Sequence, residues 1–416
     1  MSRFPSPSHS RQHHGRIFTT VFLGLLFCQV GVCGWVGWSD GNAIFSLATS
    51  RGTLFCGSRD SSIHVYGNSE WRPERDQAHT DAAADNGEEP ETIHGSVREG
   101  WMKRATLTGH SGRVEALLIV DDNLLSGSSD GTIRVWEAEG AHRCRQISEA
   151  HGDAVSGLAL WQEGARVLSA SLDGRVKVWK LDGKLEPDGE LPLRPPSAST
   201  DESSLGGSDA PMPRARSLCV FKGAGGRTKA AVGCLDSNVW VWDLEGRVLE
   251  GILCGHLKPV TCLAARLGML YSGSVDGTVR GWESDTLECE QVLEGFDATA
   301  VYSLAVLSRS SDNAPGGGGP DLLLAGSKGE VVAWSVPEGE EVRRLMHTAM
   351  VEEVDSSSGD EQGLPGIGAI VCGTREEGPS ANGDLDEEAS IYTGADDGVV
   401  RQWSPASWAC KWTFSL

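Results

Sequence analysis

The chain has 416 residues, and 36 Lys and Arg against 58 Asp and Glu give a formal net charge of −22. That sign excludes a general nucleic-acid binder and an adsorber to anionic membranes, since both need clustered cations. Fourteen Trp against only four Tyr point to one structural position reused many times.

Residues 1–38 stand apart from the rest. Met1–Arg16 is rich in Ser, Pro and His, with Arg3, Arg11 and Arg16, and no acid occurs before Asp40. Ile17–Trp38 carries no charge and has the length of a membrane-spanning helix, but Thr19, Thr20, Gln29 and several glycines interrupt it. Three readings stand side by side: a targeting segment or anchor, an extra strand, or an unstructured extension or mis-assigned start. The absence of an N-x-S/T sequon and an odd count of 11 Cys argue against export. The cysteines form no C-x-x-C pair, and many sit in apolar runs (Cys219, Cys234, Cys262, Cys372), as small buried hydrophobes of a reducing compartment do.

From residue 39 onward one phrase recurs: SGSSDGTIRVW at 126–136, SASLDGRVKVW at 169–179, VGCLDSNVWVW at 232–242 and SGSVDGTVRGW at 272–282. Weaker copies lie at 56–66, 325–334 and 393–403. Six copies place an Asp six residues before the aromatic: Asp60, Asp130, Asp173, Asp236, Asp276 and Asp397. Each phrase reads as strand, tight Asp-Gly-type turn, strand. Upstream of each lies an apolar–x–small–apolar strand, running from Ile44-Ser46-Leu47 to Ile367-Ala369-Ile370. Small residues at one fixed place suit strands that crowd around an axis. A fourth, looser strand follows each hairpin, clearest at 142–149, 247–254, 287–293 and 408–414. Seven such units predict an all-β fold: a seven-bladed β-propeller of four-stranded antiparallel blades over 39–416, with an N-terminal extension.

Seven repeats of about 42 residues leave roughly 84 residues over. They fall near 67–100, 182–214, 308–320 and 352–389, polar stretches without apolar periodicity that are expected to be disordered. The last holds eleven acidic residues against Arg375 alone, a solvated loop or a docking tail for a basic partner.

These phrases, with Gly109-His110, Gly255-His256 and the hairpins ending in Trp136, Trp179 and Trp282, resemble the WD-repeat family. The resemblance implies hydrogen-bonded networks of a His, the turn Asp, a Ser or Thr and the Trp: His110/Asp130/Trp136, His151/Asp173/Trp179 and His256/Asp276/Trp282. These residues are then structural, because a catalytic pair occurs once and these repeat around a ring. The unit before Asp236 lacks Gly-His. The unit before Trp334 has Phe296 where His is expected and no turn Asp, so blades four and six should rely on packing. The family usually closes its ring with an N-terminal strand in the last blade. Here Trp408–Phe414 already fills that place, so the clasp is missing unless residues 29–38 supply a further strand.

No phosphate loop, G-x-S-x-G, H-E-x-x-H or metal-spaced Cys/His cluster occurs in a suitable context, so neither catalysis, a cofactor nor a metal is expected. The chain reads instead as a binding surface. Residues just before the turn Asp should face solvent beside the ring opening: Arg59, Ser129, Leu172, Leu235, Val275 and Asp396. Leu172, Leu235 and Val275 come from adjacent blades, as a docking patch or as scattered apolar residues covered by loops. Arg113, Lys258 and Pro259 belong to the same rim, and Trp240 is either an exposed anchor or a filler against blade three. His64, Arg134, Lys177, Arg280 and Arg401 precede the aromatic by two, where their stems would cover it.

The expected function is a non-catalytic scaffold presenting a propeller face to protein or peptide partners, as a monomer within a complex. A substrate-receptor or adaptor subunit of a ubiquitin ligase is the alternative, suggested by the short Asp121–Asn123 connection. Against it, there is no room for a RING or F-box region, and Leu244 and Glu245 follow Trp242-Asp243 where a basic residue would be needed. A cytoplasmic or nuclear location is expected, or an organelle or membrane one through residues 1–38.

Overall fold

The computed structural model describes residues 42–68, 101–161, 166–182, 184–193, 213–266, 268–296, 299–308, 320–347, 365–373 and 390–416. The extension 1–38 lies outside them, as do most of 67–100, 308–320 and 352–389. The described residues form seven four-stranded antiparallel sheets, each built from consecutive strands. The blades span 44–107, 114–149, 155–192, 215–253, 260–294, 303–346 and 369–415. Their first strands touch one another in cyclic order, the last against the first, so they form the inner wall of a closed ring.

The hairpins form because the residue after each turn Asp, or its counterpart, takes a left-handed backbone. Gly131, Gly174, Gly277, Gly329 and Gly398 do so, and Ser61 and Ser237 stand in for glycine at φ 70°.

Glycines of the second strands set how closely the blades meet. Gly57, Gly127, Gly233, Gly273, Gly326 and Gly394 face Val114, Val155, Val260, Val301, Ile367 and Ile44 of the next blade. A Cβ at any of these glycines would lie 2.6–2.9 Å from the neighbour's side chain. Between blades three and four the sizes change together: Ala170 takes the glycine's place and Ala215 that of the branched residue, and both are fully buried.

Ring closure is by packing. Blades one and seven each keep their own four strands, so among the described residues no strand is exchanged. Ile44, Leu47 and Leu54 share one buried cluster with Ala369, Tyr392 and Val400. The Ile44 amide donates to the Ala395 carbonyl at 3.0 Å, and Trp101 Nε1 donates to Gln402 Oε1 at 2.9 Å. Residues 29–38 lie outside the described residues.

One expected insertion is corrected. Within 182–214, Leu185–Pro192 is the outer strand of blade three. A charge cluster holds this Pro- and Gly-containing strand: Asp188 meets Arg166 and Arg247 at 2.6 Å each and Lys180 at 3.2 Å. The Arg166 hydrogen bond leads the shift of its carboxyl down to about 2.

Candidate partner-binding face

The recurrent polar side chains come together in three blades. His110 Nδ1 lies 2.9 Å from Asp130 Oδ2 and its Nε2 lies 2.7 Å from Ser126 Oγ, to which Trp136 Nε1 donates at 2.9 Å. His151, Asp173, Ser169 and Trp179 repeat this geometry, as do His256, Asp276, Ser272 and Trp282. Burial opposes ionisation of Asp130, but donors from Thr132, Ser111 and His110 outweigh it and hold the carboxyl at about 2. Asp173 and Asp276 are held at about 2 in the same way. Burial lowers the pKa of His110 and His256 against the pull of their aspartates. The three imidazoles are at most 1% exposed, too enclosed to meet a substrate.

The other blades improvise. In blade one His64, on the hairpin's own third strand, reaches Asp60 at 2.9 Å; it is buried and bonded rather than a stem over the aromatic. Blade four stacks Trp240 on Trp242 at 6.1 Å. In blade six Phe296 meets Trp334 edge-on at 5.8 Å. Blade seven has a histidine the repeat pattern did not reveal. His347, fully buried, accepts from Arg401 at 2.6 Å, and burial with that guanidinium pushes its pKa down to about 3.

The face that carries the turns is defined by one repeated backbone bond. The amides of Arg59, Ser129, Leu172, Leu235, Val275 and Asp396 donate at 2.9–3.0 Å to Ala43, Arg113, Ala154, Arg214, Pro259 and Gly366, just before the inner strands. These positions are therefore equivalent around the ring. Arg59 and Lys258 are exposed, while Ser129, Leu235, Val275, Arg113 and Asp396 are half-buried. Asp396 accepts from the Gly366 amide at 2.9 Å, and burial raises its pKa.

Two candidates are corrected. Leu172 is only 5% exposed; beside it Arg214 donates to its carbonyl at 3.1 Å and pairs with Asp153 at 3.0 Å. Trp240 is buried in one cluster with Leu191 and Leu193 at the end of blade three, so it fills space.

Three residues the sequence did not single out belong to this face. Leu257 is 85% exposed, and its amide is tied to Asp276 Oδ2 at 2.9 Å, which sets it beside Val275. At the axis, Glu115 accepts from Arg113 Nε at 2.7 Å and from Arg216 at 3.3 Å. The Arg113 guanidinium also lies 5.5 Å from the centre of the Phe45 ring. Glu115 and Arg216 are 101 residues apart, a pairing no local pattern carries. Among the described residues, no group of three or more His, Cys, Asp or Glu could hold a metal ion, and no helix is long and apolar enough to cross a membrane.

Comparison with known proteins agrees with this architecture. Residues 101–137, 142–180 and 247–283 match the family described as WD domain, G-beta repeat. Each match starts on one blade's outer strand or the turn before it and ends on the next blade's third strand. Mitochondrial division protein 1 of Schizosaccharomyces pombe is 27% identical over 42% of this chain and 27% of its own length. Zinc finger CCCH domain-containing protein 62 of Arabidopsis thaliana is 27% identical over 59% of this chain and 53% of its own. Apoptotic protease-activating factor 1 of Danio rerio is 29% identical over 62% of this chain and 18% of its own. The chain thus spans about half or less of these relatives. With seven sheets in a ring and the His–Asp–Ser–Trp networks in three blades, the chain is a WD-repeat protein, built as a seven-bladed β-propeller.

Proposed function

We propose that this propeller is a non-catalytic scaffold that binds a protein or peptide partner on the face carrying the turn aspartates. Leu257, Lys258, Val275 and Leu235 form the centre of contact, with Arg59, Arg113, Ser129 and Asp396 around it. The observation that carries this reading is Leu257: a leucine 85% exposed on a loop fixed by the blade-five network, on the face that also carries the half-buried Leu235 and Val275. Scattered surface hydrophobes are common, but a nearly bare one on a tethered loop of a face with further apolar residues makes a preorganised anchor. Enclosure of the histidines supports the non-catalytic part, and the net charge argues against nucleic acid as partner.

The test is affinity capture from cell extract with the full-length chain and with Leu257→Asp/Lys258→Glu. The double variant should lose a defined set of partners while keeping the wild-type melting temperature. Identical captured sets from the two proteins would refute the assignment. For location we propose the cytoplasm or nucleus; a fluorescent fusion that moves to an organelle only when residues 1–38 are present would assign that role to the extension.

A further inference from the structure

We propose that the axial opening of this face receives an acidic side chain of the bound peptide, clamped between Arg113 and Arg216; the inference rests on the face being the binding surface. The residues just after the branched or small residue that meets the neighbouring blade are Phe45, Glu115, Ser156, Arg216 and Thr261, each second in its inner strand, and Tyr302 and Gly368, each just before its own. Two of them are charged. Glu115 and Arg216 stand on blades two and four, whose inner strands are not neighbours in the ring. Their contact therefore reaches past blade three at the axis, where Ser156 is small and turns its hydroxyl to the Ala215 carbonyl at 2.7 Å. Thr261 likewise turns to the Val301 carbonyl at 2.5 Å.

The cluster is short of negative charge. Glu115, with its side chain 3% exposed, is shared by two guanidinium groups that are 21% and 22% exposed. Each guanidinium has five N–H donors, and Glu115 engages one nitrogen of each. Among the described residues no other acceptor meets Arg113 or Arg216. Other charges of this face have their own partners: Arg214 pairs with Asp153, and Asp396 accepts from the Gly366 amide. The turn carboxylate of Asp130 lies within its own network, where it has four donors. A half-buried pair of guanidinium groups with one carboxylate between them is completed by a second carboxylate, which planar donors bind in two-pronged fashion. Phe45, beneath Arg113, offers an apolar wall to the methylenes of such a side chain.

The probe is a library of short peptides with acetylated N-termini and amidated C-termini, so that every carboxylate is a side chain, titrated against the full-length chain. Among peptides that bind, changing one Asp or Glu to Asn or Gln should weaken binding at least tenfold. Arg216→Gln should weaken the acidic peptides equally and leave the acid and amide forms alike. Glu115→Gln should tighten acidic peptides severalfold, because it removes the competing carboxylate; a purely structural triad would lower the melting temperature and leave affinity unchanged. Should Arg216→Gln fail to fold, Arg113→Gln and Glu115→Gln carry the same comparison. Amide peptides that bind as well as acidic ones, or a folded Arg216→Gln that keeps the acid preference, overturn the proposal, as does a library without binders. Leu257→Asp separates the two levels. If it abolishes binding while Arg216→Gln does not, only the clamp fails; if bound peptides ignore Leu257→Asp, the face itself is misassigned.

Discussion

Replacing turn aspartates one at a time tests whether the polar networks hold the ring together. Asp130 accepts from His110 Nδ1, from the Thr132 hydroxyl and amide, and from the Ser111 amide. In Asp130→Ala the exposed Ser111 amide turns to water. The Thr132 amide loses its acceptor, and the imidazole of His110, whose side chain is 1% exposed, is left at Nδ1 with only the Thr132 hydroxyl at 3.1 Å. An orphaned donor away from water costs about 1–3 kcal/mol, so the variant should lose about 1–3 kcal/mol. Asp236 occupies the same turn position in blade four, but it is exposed, and among the described residues it accepts only from the Asn238 amide, at 3.0 Å, and bonds to no histidine. Asp236→Ala should stay within about 0.5 kcal/mol of wild type. Urea unfolding of the full-length chain, followed by circular dichroism and Trp fluorescence with the slope required to stay constant, measures both. Equal losses in the two variants, or a larger one for Asp236→Ala, would refute the argument, because the turn alone would then account for the aspartate.

Gly233→Ala places a methyl 2.4 Å from Ser217 Oγ and 2.6 Å from Val260 and should cost about 1–3 kcal/mol through overpacking. Gly152→Ala meets nothing within 4 Å and should leave the urea midpoint unchanged. Leu172→Glu buries a charge at a 5% exposed site and should lower the melting temperature sharply, whereas Leu257→Asp should not. Stability should fall steadily as pH drops from about 6.5. Unfolded histidines take up protons there, while His110 and His256 resist and His347 titrates only near 3. A further loss follows between about pH 4 and 2, where unfolded carboxylates protonate before Asp130, Asp173 and Asp276 do. Urea midpoints at pH 8, 6 and 4 check the sign, and a midpoint that rises between pH 7 and 5 contradicts it.

Much of the ring is legible in the sequence because its main interactions are local. Strand, left-handed turn and strand lie within eleven residues, and the Asp-to-Trp spacing is the spacing of one hairpin. Features that depend on distant segments are hidden. Leu185–Pro192 carries Pro187, Asp188 and Gly189, and the charges that hold it include Arg247 of the next blade. His347 is cut off from its inner strand by 348–364, so the position never looks like part of a repeat. Leu172 reads as bare, yet it is buried, and Arg214, 42 residues later, bonds to its carbonyl. Leu257 follows a Gly-His pair that draws attention to the network and away from its neighbour. Trp240 occupies a position that is basic in neighbouring blades, so only the packing against blade three shows it to be core.

The account's central claim, that partners dock on the turn-aspartate face, is tested most directly by amide hydrogen exchange on the full-length chain, free and with a captured partner. Protection should appear at 257 and 258, at 235 and 275, and around 113–115, with the outer strands unchanged. Protection confined to the outer strands, with the loop at Leu257 exchanging as in the free chain, would contradict it.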